Sequence, residues 1–177
     1  MKKACITLFS IAIILLAGLG VSLKPNQLST EYLRIHIRAN SNSNEDQAVK
    51  YAIKTAVIEY LTPFIAECNT KQKAKQVFLE QELEVEKVAN KVLLESGFNY
   101  KSNVKIREEY FPTRTYDGLT LDAGVYDAVI IELGDAQGQN WWCVVYPPLC
   151  FVGEGTKYQY KSKLLEIVND FIKREGK

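Results

Sequence analysis

Hydrophobic and polar residues alternate from Glu31 to Arg38, with Leu33, Ile35 and Ile37 on one side and Arg34, His36 and Arg38 on the other. Successive side chains of a pleated strand point to opposite faces, so this stretch predicts a half-buried strand. The polar run Asn40–Asn44 breaks it and suits a turn, and Ser43 with Asp46 has capping-box spacing for a helix start. Val49, Ile53, Val57, Tyr60 and Phe64 then recur at helical spacing, and Pro63 ends or kinks that helix. A second helix is predicted from about Thr70 to Ser96, with Val77, Phe78, Val85, Val88 and Val92 as its apolar stripe and Gly97 as its C-terminal glycine. Glu80, Glu82, Glu84 and Glu86 read as its solvated face.

Beyond Asn103 the period falls to two. Val104, Ile106 and Tyr110 predict one strand; Val125–Leu133 and Trp141–Tyr146 predict two more, read as an antiparallel hairpin around the loop Gly134–Asn140. The intervening Phe111–Gly124 is rich in turn residues. Thr156 with Gln159 repeats the capping pattern, and Leu164, Leu165, Val168, Phe171 and Ile172 form the stripe of a C-terminal helix. The order β-α-α-β-β-β-α predicts an α+β fold, an antiparallel sheet of about four strands packed with two to three helices.

The start of the chain departs from this pattern. Lys2 and Lys3 precede an uncharged run, Ala4–Leu23, with small residues Gly18 and Gly20 near its end. That is the layout of a signal peptide, and 20 residues also just span a bilayer, so residues 1–23 read as a signal peptide or a retained signal anchor. Residues 24–30 follow as a polar linker, and 31–177 as one α+β domain. Two lysines before the apolar run and one after it, Lys24, orient the N-terminus inside and the domain outside.

Composition narrows the function. Hydrophobic residues make up 47% of the chain, enough for a core. The net charge is +1; without Lys2 and Lys3, Lys+Arg falls from 22 to 20 against 21 acidic residues, which leaves −1. Neither nucleic acid nor a lipid surface has a basic footprint to hold, so membrane contact is expected only through the N-terminal segment. One histidine and no CxxC pair leave too few ligands for zinc, and no cofactor motif is present.

The chemistry-bearing residues gather in two stretches. In Gln139–Phe151, Trp141 and Trp142 must face opposite sides of a strand, so one of them looks for a cover or a partner, beside the rigid Pro147 and Pro148. Cys143 and Cys150, with six residues between them, are disulfide candidates on the oxidising side of a membrane; Cys5 sits in the leader, and Cys68 is left over. The rival reading keeps Cys143 free as a nucleophile, with His36 as base and Asn40 as the polar third member, in an exported cysteine hydrolase of peptide or cell-wall amides. The second stretch, Phe111–Gly118, offers Phe111, Arg114 and Tyr116 as contacts, or is simply a packed connection.

Three segments carry a family likeness: LRIHIRANSNSNEDQ at 33–47, FPTRTYDG at 111–118 with LDAGVY at 121–126, and GQNWWCVVYPPLCF at 138–151. With them the chain resembles stage II sporulation protein R of spore-forming Gram-positive bacteria. The resemblance implies a protein exported into the space between forespore and mother-cell membranes. There it triggers a membrane-embedded aspartic protease of the mother cell, which removes the pro-sequence of sigma factor E. It implies a signal with no transferable catalytic activity. Cys143, Cys150, His36 and Asn40 match the family pattern, and Asn42 stands where an acidic residue is frequent.

Overall fold

The structure, a computed structural model, describes residues 31–116, 118–152 and 158–176. Residues 1–30, which hold the signal or anchor segment and the linker, and Thr156 of the Thr156–Gln159 capping pattern lie outside the described residues. Among the described residues, no helix is long and apolar enough to cross a membrane.

Strand β1 (Leu33–Arg38) leads into helices α1 (Asn44–Ile65) and α2 (Lys71–Glu95). The helix starts follow the local chemistry. Ser43 Oγ accepts the Asp46 amide at 3.1 Å, and Thr70 Oγ1 accepts the Lys73 amide at 3.2 Å, each satisfying a donor that has no partner within the helix. Pro63 lies in the last turn of α1, which ends at Ile65. Gly97 closes α2 at φ 81°, letting the Phe98 amide reach back to Leu93 O at 2.9 Å.

The chain continues through β2 (Ser102–Phe111), the short β3 (Arg114–Tyr116) and β4 (Leu119–Leu121), then β5 (Gly124–Leu133) and β6 (Asn140–Tyr146). A 3-10 turn at Leu149–Phe151 and helix α3 (Tyr158–Glu175) complete it. The α+β class therefore holds. The main sheet runs β2-β5-β1-β6, while β3 and β4 pair only with each other. It is mixed rather than wholly antiparallel: β2–β5 and β1–β6 are antiparallel, and β1–β5 is parallel.

β5 and β6 do not form a hairpin, because β1 lies between them. The connection after β5 steps across the end of β1 and is bonded to it. Gly138 N donates to Ala39 O at 2.8 Å, Gln137 N to Asn40 O at 3.1 Å, and Asn42 Oδ1 accepts Gln139 N at 2.7 Å. Loop length and glycine content look alike for a hairpin and for this crossover; the long-range pairing of β1 decides between them. Nor is β1 half-buried, since Arg34 and His36 are as fully enclosed as Leu33 and Ile37, all at 0% exposure.

Strand register explains why β1 is buried on both faces. Leu33, Ile35 and Ile37 share a face with Asp127, Val129 and Ile131 of β5. This is the helix side: Lys71 and Lys75 of α2 hold Asp127 at 2.5 and 2.6 Å. Arg34, His36 and Arg38 share the opposite face with Ala128, Ile130 and Glu132. Over Arg34 and Trp142 that face is covered by the β3–β4 hairpin. At the far end of β6, Phe171 of α3 packs against Tyr32 and Tyr146 at ring separations of 5.2 and 5.9 Å. The predicted stripe of α3 is buried at Leu164, Val168 and Phe171, whereas Leu165 and Ile172 face outward.

Candidate functional site: the flap-covered face of the sheet

Phe111 ends β2, and Pro112 turns the chain out of the main sheet. β3 and β4 then pair through Arg114–Leu121, Thr115–Thr120 and Tyr116–Leu119. Gly118, at φ 89°, supplies a turn conformation that side-chain-bearing residues avoid. The two strands form a flap over the second face of the sheet. Side chains attach it: Tyr116 OH accepts from Arg34 Nη2 at 2.8 Å, Arg114 lies 5.7 Å from the Trp142 ring, and Leu121 is buried beneath.

Beneath the flap is an aromatic cage. The Arg34 guanidinium lies 4.2 Å from the Phe111 ring centre, 4.8 Å from Tyr126 and 5.7 Å from Tyr116. Ring faces attract a cation, and the attraction strengthens once water is removed. His36 stacks on Trp142 at 4.7 Å with an 18° tilt and meets Phe111 at 5.4 Å. Arg34 Nε and Nη1 and both His36 ring nitrogens are buried without a hydrogen-bond partner among the described residues. Burial, reinforced by the Arg38 charge, pushes the His36 pKa down to about 4, against smaller opposing effects of Glu109 and Glu132. The imidazole in this cage is therefore neutral at physiological pH.

The same face carries a charged lattice beyond His36. Arg38 bridges Glu109 and Glu132 at 3.0 and 3.1 Å, Lys105 meets Glu132 at 2.8 Å, and Arg107 meets Glu109 at 2.8 Å. Burial would raise the Glu109 carboxyl, but the Arg107 hydrogen bond and the charges of Arg38 and Arg107 outweigh it and hold it below the usual range. At Glu132 the Lys105 hydrogen bond leads and has the same outcome.

The structure gathers Phe111, Arg114, Tyr116 and Trp142 of the proposed contact residues at this face. Trp141 is on the helix side, 5.9 Å from Lys54. Pro147 and Pro148 are buried, with a cis bond between Tyr146 and Pro147, and present no surface. Cys143 and Cys150 are joined in a disulfide, and Cys68 is free and buried.

The hydrolase constellation is not assembled. Cys143 registers with Ile35 and His36 with Trp142, so Cys143 and His36 project to opposite faces of the sheet. Asn40 is committed elsewhere: its Nδ2 donates to Asp46 at 2.9 Å and its Oδ1 accepts Asp135 N at 2.9 Å. Arg34, at the centre of the cage, carries no sequence signal beyond sharing the period-two face of His36. Among the described residues, no group of three or more metal-ligating side chains converges.

The family model described as stage II sporulation protein R matches residues 29–156, which takes in the sheet, the flap and the disulfide but not α3. A protein of Bacillus subtilis (strain 168), "Stage II sporulation protein R", is 34% identical over 140 residues, covering 77% of this chain. The match spans 62% of that relative's length. No solved structure matches. The chain belongs to the stage II sporulation protein R family.

Proposed function

We propose that this protein is an exported sporulation signal. It acts in the space between forespore and mother-cell membranes, where it binds and activates a membrane-embedded aspartic protease, and so drives removal of the pro-sequence of sigma factor E. Family membership supports the sporulation role. Binding is favoured over covalent chemistry by one observation: the sulfur of Cys143 is bonded to Cys150 and lies across the sheet from His36. The flap-covered face is the proposed contact surface. It presents exposed Arg114, Thr115 and Thr120 beside a half-buried Trp142, a combination of forked donor and aromatic suited to protein interfaces.

The test is co-production of the full chain, the protease and pro-sigma-E in a host that does not sporulate. Shortening of pro-sigma-E is expected only when the chain is present. A Cys143→Ala/Cys150→Ala variant should retain it per folded molecule, and Arg114→Ala should weaken it. Absence of shortening with the unaltered chain, or its loss in a folded Cys143→Ala/Cys150→Ala variant, overturns the reading.

A further inference from the structure

We propose that Arg34 is a receptor for a single carboxylate group, held shut in this structure by the Tyr116 hydroxyl of the flap. The proposal does not rest on the signalling role. Arg34 is completely enclosed, and among the described residues no acidic side chain pairs with its guanidinium. It donates from Nη2 to Tyr116 OH and lies within hydrogen-bonding reach of Tyr126, while among the described residues Nε and Nη1 have no partner of full hydrogen-bond geometry. A buried charge ordinarily has an ionic or fully hydrogen-bonded complement, so an incompletely engaged guanidinium is costly to retain for packing alone.

The geometry specifies the ligand. A carboxylate engages a guanidinium through two parallel bonds, either to Nε with Nη2 or to Nη1 with Nη2. Both modes require Nη2, the nitrogen that Tyr116 occupies. Nη2 carries two N–H groups, so the hydroxyl occupies one of them and obstructs the two-point mode that uses it; its oxygen stands in for a carboxylate oxygen. Among the described residues the charge enclosed within the cage is that of Arg34, with a neutral histidine and the rings of Phe111 and Tyr126 as walls and Arg114 outside, over Trp142. The cage matches a planar monoanion attached to an apolar or aromatic group; a phosphate dianion would carry an uncompensated charge into apolar surroundings.

Access is through the flap. β3 and β4 pair with each other and not with the main sheet. Lifting them breaks the Tyr116–Arg34 bond and side-chain packing, and no strand ladder of the main sheet. Thr115 and Thr120 link their hydroxyls at 2.9 Å across the outer surface, so the flap can move as a unit.

The test follows the Arg34 Nε–H resonance of the full chain in detergent micelles. N-acetylphenylalanine should shift that resonance, and its carboxamide should not. The α-amide of N-acetylaspartate separates a side-chain carboxylate from a chain-terminal one, and a shift with either acid supports the proposal. Tyr116→Phe, which frees one N–H of Nη2 and removes the competing acceptor, should tighten binding of the acid about fivefold. Arg34→Met fills the cage with an apolar chain and should abolish binding. Equal responses to acid and amide, unchanged affinity in Tyr116→Phe, or binding that survives in folded Arg34→Met overturns it. If Arg34→Met does not fold, the acid–amide comparison and Tyr116→Phe still decide.

Discussion

His36 is the residue whose environment has the plainest solution consequence. It is enclosed, stacked on Trp142, and carries a pKa lowered to about 4 from a model-peptide value of 6.5. Between those two values the unfolded chain binds a proton that the folded chain refuses. Stability is therefore full above pH 6.5 and falls as the pH drops towards 4. The loss is about 3 kcal/mol over that interval. Asp46, Asp127, Glu109 and Glu132, whose pKa values are lowered, add their own losses only at still lower pH, below the ordinary carboxylate values. Denaturant titrations from pH 7 to pH 5 should thus show a declining midpoint that His36→Phe flattens. An equal decline in His36→Phe would place the titrating group elsewhere. The alternation around His36 is plain in the sequence. The burial of its face is not, because the cover comes from residues about 80 positions away, as the Arg34–Tyr116 bond shows.

At the scale of elements, what is locally encoded is legible and what is paired at a distance is not. Ser43 and Thr70 mark helix starts and Gly97 a helix end because cap and amide lie within a few residues of each other. The β5–β6 crossover is misread as a hairpin because the partner that separates them, β1, precedes them by some 90 and 100 residues. Gly138 carries the physical sign of the crossover: a Cβ there would stand 2.1 Å from Ser41 O. Gly138→Ala should cost about 2 kcal/mol by forcing the loop off the end of β1. A chemical melt indistinguishable from the unaltered protein would contradict that. The disulfide ties β6 to the 3-10 turn across a sequence separation of 7. Its removal in Cys143→Ala/Cys150→Ala should lower stability by about 2–3 kcal/mol through restored freedom of the unfolded chain. Matched denaturation of the unaltered chain with and without reductant should reproduce the difference, and no difference would leave the bridge without a stabilising role.

For the whole molecule, the candidate site is only partly legible in its parts. Phe111, Arg114, Tyr116 and Trp142 stand out by composition and do converge, but Trp141, Pro147 and Pro148 stand out equally and do not. Strand register, which composition does not encode, sends Trp141 to the helices and Trp142 to the flap. The same register separates Cys143 from His36, so the molecule offers a surface where the residue types alone also allowed a catalytic pair. In the proposed account this surface meets the protease outside the cytoplasm, delivered by the uncharged segment Ala4–Leu23.

The most direct measurement of that claim compares pro-sigma-E shortening driven by the full chain with shortening driven by a form that lacks residues 1–23 and stays in the cytoplasm, both at matched folded levels alongside the protease. Shortening with the full chain alone is the predicted result. Equal shortening by the cytoplasmic form would contradict an action from the far side of the membrane.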